Sequence, residues 1–373
     1  MGLDCMPVEV DTAHAFFLAI VAASALSRSG EEKQAITIYS STTSHTLSTQ
    51  NLLLALKPRY LSVCINNLAV CLSNHGRLTA SSRLCAIDYD LVSIFEDQSD
   101  IFKNLLDRFS LQSQLGQWPA AAETWRLLDP MGRKWRRATY RQGYAECLYA
   151  RAQFCQGQLQ EEHLNTAATL AEQDHNRGTI RRVHALRGDW RLEQCAWAQA
   201  AASFSQAVAM AREVRLVDEA SETGLALAKV YLHHLTGDEA RGEAQRLAQL
   251  RHFADRKQAN RYLARLWQAL GDLNQAKHHA LAAYTLSWAD GEPYVFRYEL
   301  SKATEQLHEL GVPLPNLPPY DPAKDEPFPW EADLRAFIAT RRAEQAAKEK
   351  AKQHGEVKTT QFLSGELGME DSK

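Results

Sequence analysis

The sequence predicts an all-α fold, a right-handed α-solenoid of stacked helical hairpins. Only four prolines lie between Val8 and Val312, and because proline lacks a backbone N–H and fixes φ, their scarcity leaves room for long helices. The alternating, β-branched pattern that is typical of strands is missing throughout the sequence. Turn residues recur about every 40 positions, a period that indicates stacked helical hairpins.

Six anchor positions mark this repeat, at successive spacings of 40, 41, 38, 42 and 34 residues: Gly76, Gly116, Gly157, Cys195, Gly237 and Gly271. The side chain five residues before the anchor is apolar in all six repeats, and the side chain two residues after the anchor is apolar in five of the six. Five residues after the anchor, the side chain is small in five of six. We interpret each anchor as the turn between two antiparallel helices, since glycine readily adopts the left-handed conformation that ends a helix. Neither helix can bury its apolar stripe alone, so the hairpins are expected to stack.

Two of these turns resemble the signature of tetratricopeptide repeats. They read Leu270-Gly271-Asp272-Leu273-x2-Ala276, with Ala283 twelve residues after the glycine, and Leu115-Gly116-Gln117-Trp118-x2-Ala121. Asn66-Asn67-Leu68-Ala69 is similar to the first-helix opening of repeats of the kinesin light chain type. The small residue at the twelfth position is lost in most repeats, and the period exceeds the family's value of about 34 residues. Longer repeats of this kind are similar to the solenoids of bacterial signal-transducing ATPases and maltose-regulator-like transcription factors, which implies a bacterial repeat protein.

The segments around the repeats differ from them in composition. Seven of the twelve prolines crowd into residues 313–329, which predicts an extended, partly polyproline-like segment. Its apolar and aromatic residues suggest a strap that lies on the solenoid. The predicted organisation is an N-terminal helical hairpin or cap (1–58), a solenoid of about six hairpins (59–290), a capping helix (291–311), a proline-rich strap (312–329), a C-terminal helix (330–353) and a disordered tail (354–373).

The segment from Thr12 to Ser27 carries no Asp, Glu, Lys or Arg. We interpret it as a buried N-terminal helix, because it is shorter than the roughly 20 residues that cross a bilayer. In addition, Glu9 and Asp11 precede it, where a signal peptide carries positive charge. The seven cysteines form no CxxC pair and lie among apolar residues, as small buried side chains do. A formal net charge of −3 excludes a globally basic nucleic-acid binder. These features predict a cytoplasmic protein without membrane attachment.

The sequence contains none of the common catalytic motifs. The GxxxxGK[ST] phosphate loop and the GxGxxG, HExxH, GxSxG and EF-hand patterns are absent. The histidine pairs at 233–234 and 278–279 could each offer one ligand to a shared ion, because adjacent helical side chains point about 100° apart. No cysteine or paired carboxylate joins them at ligand spacing. Four tryptophans at core columns are interpreted as packing residues: Trp118, Trp190, Trp197 and Trp267. We therefore expect no enzyme activity, metal site or cofactor.

The resemblance implies that the first helix of each hairpin lines a concave groove. The groove-facing positions then fall 3, 6, 10 and 13 residues before each anchor. This register collects ten candidate partner-binding residues: Asn66, Lys103, Tyr144, Arg151, Phe154, Arg182, Tyr231, His234, Arg261 and Arg265. Five of the ten are Lys or Arg, and Asp189 is the one acid in the register. Because arginine binds carboxylates bidentately, we expect a non-enzymatic scaffold or sensor that binds an acidic peptide, the C-terminus of a polypeptide or a partner protein in this groove.

Two arginine-rich runs support an alternative function. Residues 133–151 carry six basic residues against Glu146, and residues 177–191 carry five against Asp189. With aromatic residues interleaved, the first run could bind phosphates and stack bases. The protein would then be a regulator that binds nucleic acid or a nucleotide signal, whereas a solvated helix face is the ordinary interpretation of such runs. An enzyme with a scattered active site is a third class.

Overall fold

The protein is described by a computed structural model that covers residues 12–28, 31–48, 58–95, 98–134, 142–214, 216–249 and 256–366. Within these ranges the regular structure is helical, without a β-strand. Sixteen α-helices lie there: α1 (Thr12–Arg28), α2 (Glu32–Ser48), α3 (Pro58–Asn74), α4 (Leu78–Ile94), α5 (Gln98–Gln114), α6 (Trp118–Lys134), α7 (Gln142–Cys155), α8 (Glu161–Gln173), α9 (Arg177–Glu193), α10 (Trp197–Glu213), α11 (Glu219–Tyr231), α12 (Gly237–Ala248), α13 (Arg256–Ala269), α14 (Leu273–Trp288), α15 (Arg297–Glu309) and α16 (Glu331–Glu366). The prediction of an all-helical protein is confirmed for the described residues.

Five of the six predicted turn anchors adopt the left-handed conformation that the repeat pattern required. Gly76, Gly116, Gly157 and Gly271 have φ between 70° and 81°, and Cys195 has φ of 56°. Each of these residues lies between the two helices of one hairpin. The turn therefore follows from the sequence in these five repeats.

The anchor predicted at Gly237 is wrong. The left-handed residue of this hairpin is His233, with φ of 57°, and Gly237 is the first residue of α12. The helix starts there because the Thr236 side chain accepts a hydrogen bond from the backbone N–H of Glu239, whose own side chain bonds back to Thr236. With His233 as the anchor, the last two spacings become 38 and 38 residues instead of 42 and 34, so the repeat is more regular than the glycine positions indicated.

Helices that follow one another in the sequence pack together, and the first helices of successive hairpins also contact one another. This second set of contacts joins α3, α5, α7, α9, α11, α13 and α15 into one continuous row. The second helices pack mainly against their sequence neighbours. In a stack that curves, this row of first helices would form the inner face, which is the surface that the groove prediction concerns.

The far end of the stack returns to the first hairpins. Asp290 Oδ2 accepts hydrogen bonds from the backbone N–H of Thr79, at 2.8 Å, and from its hydroxyl, at 3.0 Å. Phe296 is buried in the same apolar core as α1 to α4, and Gly76 lies against Ala289 and Phe296. The link between α14 and α15 therefore packs against the turn between α3 and α4.

Residues 310–330 follow the outside of this junction. Leu317 packs against the core formed by α9 to α15, and Trp288 Nε1 donates a hydrogen bond of 2.7 Å to the carbonyl of Pro318. Trp330 is buried in the first core, and its Nε1 donates to Ser40 Oγ at 3.0 Å. The proline-rich stretch thus touches the last hairpin at one end and the first hairpins at the other.

The last helix is longer than predicted. It begins at Glu331, as expected, but continues to Glu366 rather than ending near residue 353. All eleven residues at 343–353 are alanine, glutamate, lysine or glutamine, which have high helix propensity, and the helix continues beyond this run. A disordered tail from residue 354 is therefore wrong for residues 354–366, and residues 367–373 lie outside the described part of the protein.

The charge-free N-terminal segment is a helix, as predicted. Phe16, Ala19, Ile20 and Ala23 are buried in the first core. No helix among the described residues combines the length and the hydropathy needed to cross a membrane.

Candidate binding groove and cleft

Nine of the ten predicted groove residues lie in three places along the row of first helices, and His234 lies in the turn after α11. Asn66, Lys103, Tyr144 and Arg182 belong to its first part. Arg151, Phe154 and Arg261 lie at its centre. Tyr231 and Arg265 line an open cleft near its end, together with Arg261. The pattern of contacts differs between the three places, and it decides which residues are free to meet a partner.

The first part of the row uses its polar residues in contacts between helices. Asn66 is buried, and its Nδ2 donates a hydrogen bond of 2.8 Å to Asp107 Oδ2 on α5. The Arg182 guanidinium of α9 lies over the ring of Tyr144 on α7, 4.8 Å from its centroid. Lys103 is half-buried on α5. Asn66 therefore joins two helices of the stack, whereas its place in the repeat register predicted a bond to a partner.

Two predicted residues at the centre are occupied by other parts of the same polypeptide. Arg151 donates hydrogen bonds to Asp189 Oδ2 at 3.0 Å and to Glu299 Oε1 at 2.9 Å. The ring of Phe154 packs against Tyr298, with centroids 5.1 Å apart. Tyr298 and Glu299 come from the first turn of α15, which thus supplies acidic and aromatic contacts that the groove prediction assigned to another molecule.

Arg261 extends the same ionic network toward the cleft. Its Nη1 donates a 2.7 Å hydrogen bond to Glu193 Oε1, and its Nε lies 3.3 Å from Glu299 Oε2 in an ion pair without hydrogen-bond alignment. Burial is the largest single effect and opposes the charge of Arg261, but Glu299, Tyr262, Tyr298 and Glu193 together outweigh it and raise the pKa well above its usual value. Arg261 is therefore a permanent buried cation.

The carboxylate of Asp189 completes the network. Tyr262 donates a 2.7 Å hydrogen bond to Asp189 Oδ1. Burial raises the pKa of Asp189 to about 6, although the charge of Arg151 acts in the opposite direction. The three acids Asp189, Glu193 and Glu299 thus surround the two arginines at the centre of the row, which leaves little net positive charge there.

An open cleft of about 780 Å³ lies beyond this network, between α11, α12, α13 and α15. Its volume falls within the range of roughly 300–1,000 Å³ that small-molecule sites occupy. The predicted residues Tyr231, Arg261 and Arg265 line it, as do Glu193, Lys302 and Gln306.

The wall of the cleft combines an aromatic platform with cations. The rings of Tyr231 and Trp197 stack with centroids 4.1 Å apart and planes 9° apart, and Tyr231 is 39% exposed. Arg265 Nη1 lies 3.9 Å from Glu193 Oε1, beyond hydrogen-bond distance. Lys302 Nζ lies 2.9 Å from Glu305 Oε2. This arrangement can bind a polar, anionic group beside an aromatic or apolar one.

The misplaced anchor affected two of the predicted residues. Tyr231 and His234 were chosen by counting back from Gly237; counting back from His233 gives Val230 at the first position instead. Val230 and Tyr231 both line the cleft, whereas His234 does not. The backbone N–H of His234 instead donates to the carbonyl of Lys229 at 2.9 Å, which closes the turn.

Several residues of the ionic network and the cleft could not be predicted from the repeat register. Glu193 lies two residues before its anchor, a position outside the register. Tyr298, Glu299, Lys302 and Gln306 lie on α15, which the sequence pattern indicated to be a cap. An acidic residue on the apolar side of an amphipathic helix was the available signal for Glu299, since such a residue is rarely buried without a cationic partner.

The second arginine-rich run is paired with carboxylates of neighbouring helices. Arg187 and Arg191 both bond Glu161, Arg177 bonds Glu213, and Arg181 bonds Asp218. In the first run, residues 135–141 lie outside the described part of the protein. Phosphate groups would therefore have to displace existing ion pairs on residues 177–191.

One of the paired histidines is held inside the stack. The ring of His279 on α14 lies 2.8 Å, Nδ1 to Oδ1, from Asn260 on α13. Burial lowers the pKa of His279 to about 4, so the ring is neutral at physiological pH.

Comparison with known proteins assigns no family to this protein. The protein matches no protein-family model and no curated protein sequence.

Proposed function

We propose that this protein is a non-enzymatic interaction scaffold or sensor of the bacterial cytoplasm. It would be a right-handed solenoid of tetratricopeptide type that receives an acidic segment of a partner protein in the cleft between α11, α12, α13 and α15. The observation that supports this proposal most is that the cleft is an open stretch of the inner face and is lined by predicted groove cations, Arg261 and Arg265.

The looser pairing of Arg265, compared with Arg151, favours the cleft over the rest of the row. Asp189 and Glu299 already satisfy Arg151, so a partner would have to displace them at the centre. Arg265 has no carboxylate closer than 3.9 Å among the ion pairs of the described residues. A guanidinium presents a planar fork of donors that fits a carboxylate bidentately, and Arg265 is free to offer it. An acidic side chain of a partner is therefore the best fit.

Other features support the setting of this proposal. The cysteines at positions 64, 71, 85 and 147 are buried free thiols, as in proteins of a reducing compartment. The turn spacing of 38 to 41 residues, with His233 as the fifth anchor, supports the bacterial type of long helical-hairpin repeat. The contacts of residues 312–329 with both ends of the stack support a strap that holds its curvature.

The test measures binding of a fluorescein-labelled ten-residue peptide of Asp and Glu by fluorescence anisotropy. We expect Arg265→Glu to weaken binding at least tenfold, because it replaces the open donor fork with a like charge. The matched control is Arg241→Glu on α12, whose side chain is 53% exposed and does not line the cleft. It should leave the affinity within about twofold of the wild type.

Two results would overturn the proposal. One is equal affinity of the wild type and Arg265→Glu for the acidic peptide. The other is equal affinity for a peptide in which Asn and Gln replace the acids. Tight binding of single-stranded DNA that falls steeply with salt would instead support the nucleic-acid alternative.

A further inference from the structure

Two buried polar side chains of the cleft have an atom without a hydrogen-bond partner among the described residues. These atoms are Nη2 of Arg261 and Oε1 of Gln306. Arg261 is 3% exposed and Gln306 is 4% exposed, and both line the cleft. Buried polar groups in native proteins are nearly always paired, so an unpartnered donor and an unpartnered acceptor on two residues that line the same cleft point to a ligand.

The orientation of the Gln306 amide is fixed by its surroundings. Its Nε2 donates a 3.3 Å hydrogen bond to the backbone carbonyl of Arg261. A flipped amide would place two oxygen atoms against each other there, so Oε1 is the atom that is left without a hydrogen-bond partner. The same bond ties α15 to α13 beside the Arg261 side chain. Among its lining residues the cleft therefore has one acceptor without a partner, Gln306 Oε1, and one arginine whose Nη1 is engaged by Glu193 and whose Nη2 is not.

A ligand that satisfies both atoms needs an anionic oxygen group and a hydrogen-bond donor close together. Inorganic phosphate at neutral pH offers an anionic oxygen and an O–H donor, but it has no group that would contact the ring of Tyr231. An acidic amino-acid unit brings both, because its carboxylate lies a few bonds from its own backbone N–H. The exposed ring of Tyr231 offers a platform for the next side chain of a peptide.

We propose that the floor of the cleft recognises an acidic amino-acid unit. Its carboxylate accepts hydrogen bonds from Arg261 Nη2 and the Arg265 guanidinium, and its backbone N–H donates to Gln306 Oε1. This inference rests on the proposed function, since it names the chemistry that the same cleft selects. The unit has two possible sources, an Asp or Glu residue within a peptide and a free acidic amino acid.

The experiment is isothermal titration calorimetry on the full-length protein with four probes. They are an acetylated Gly-Glu-Gly amide, the same peptide with the glutamate nitrogen methylated, free L-glutamate and inorganic phosphate. Methylation removes the N–H and keeps the carboxylate, so it isolates the contact with Gln306. We expect it to weaken binding about tenfold, as the loss of one buried hydrogen bond does.

The variant Gln306→Leu should weaken the unmethylated peptide by a similar factor and leave the affinity of the methylated peptide unchanged. Leucine also removes the bond from Nε2 to the backbone carbonyl of Arg261, so the thermal midpoint of the ligand-free variant is expected to fall slightly. A purely structural role of Gln306 would instead weaken the binding of both peptides by the same factor. Gln245→Leu, an exposed residue of α12 outside the cleft, is the matched control and should change neither quantity.

The outcomes separate this inference from the proposed function. Suppose that the peptide binds the wild type and Gln306→Leu with equal affinity, and that the methylated and unmethylated peptides bind the wild type equally well. The inference is then wrong and the proposed function stands. Phosphate that binds as tightly as the peptide also overturns the inference. If free glutamate binds and the peptide does not, the inference stands with the free amino acid as the source, and the proposed function fails. Absence of binding to all probes overturns both.

Discussion

At the scale of single residues, glycines decide how closely three helices of the stack approach. Gly188 on α9 and Gly224 on α11 lie on either side of the fully buried ring of Phe204 on α10. A Cβ atom would lie 2.7 Å from the ring at Gly188 and 2.6 Å from it at Gly224. Gly143 on α7 approaches the backbone of Ala171 on α8 in the same way, at 2.6 Å. These helical glycines are packing residues, unlike the turn glycines at the anchors.

We expect Gly188→Ala to destabilise the protein by about 1–3 kcal/mol, as overpacking of a core does. This loss must exceed the gain of up to about 1 kcal/mol that alanine brings to a helix. The matched control is Gly242→Ala on α12, where a Cβ would meet no atom within 4 Å; it should stabilise the protein by up to about 1 kcal/mol. Urea denaturation measures both. A stabilising effect of Gly188→Ala would contradict the close packing.

At the scale of elements, the sequence pattern predicted the helices better than their contacts. The sequence predicted a capping helix at residues 291–311, where α15 lies, because helical periodicity is a local property. The pattern gave no indication that Glu299, in the first turn of α15, reaches Arg151, 148 positions away. The proline-rich segment after it shows the same limit. Proline chemistry predicted an extended conformation for it, but its attachment to α4 depends on contacts distant in sequence.

Arg83 on α4 is the main polar attachment of this segment. Its Nε lies 2.9 Å from Glu331 Oε2, and its Nη1 contacts Asp325. We expect Arg83→Ala to raise amide hydrogen exchange in residues 318–331, since the segment then keeps only its apolar contacts near α4. The control Arg212→Ala removes a largely exposed arginine of α10 and should leave exchange in this segment unchanged. Unchanged exchange in Arg83→Ala would refute the attachment.

At the scale of the whole molecule, the stack closes on itself. Phe296 is buried in the core of the first hairpins, Lys257 Nζ lies 3.9 Å from the centroid of its ring, and Arg297 packs against the turn glycine Gly116. In an open repeat array each repeat contacts only its neighbours, so the two ends can unfold independently. Here the last hairpin stabilises the first ones directly, so the two ends are expected to unfold together.

Phe296→Ala should destabilise the protein by about 3–5 kcal/mol, the usual cost of truncating a buried phenylalanine. Because the lost contacts join the two ends, we expect the radius of gyration from small-angle X-ray scattering to increase and thermal unfolding to split into two transitions. Phe95→Ala, at the exposed end of α4, is the control and should preserve one transition. A compact variant that still melts in one step would show that the closure contributes little.

The partner-binding prediction holds for some of its residues and not for others, because contacts distant in sequence decide the surroundings of each side chain. Tyr231, Arg261 and Arg265 were identified from the repeat register and line the cleft. Arg151 and Phe154 were identified by the same register, but they contact Glu299 and Tyr298 of the same polypeptide. A register counts positions along one helix and therefore predicts which side chains face inward. Whether such a side chain meets solvent or another helix depends on residues more than a hundred positions away.

The sequence by itself determined the helices and most of the turns. Each of these depends on interactions within about 40 residues: the left-handed turn, the helix cap and the apolar stripe. The tertiary structure alone decided that α15 fills the centre of the inner face and that a cleft stays open beside Arg265 and Gln306. Curvature is the sum of small rotations between successive hairpins, and this sum, set by no single repeat, determines where the two ends meet.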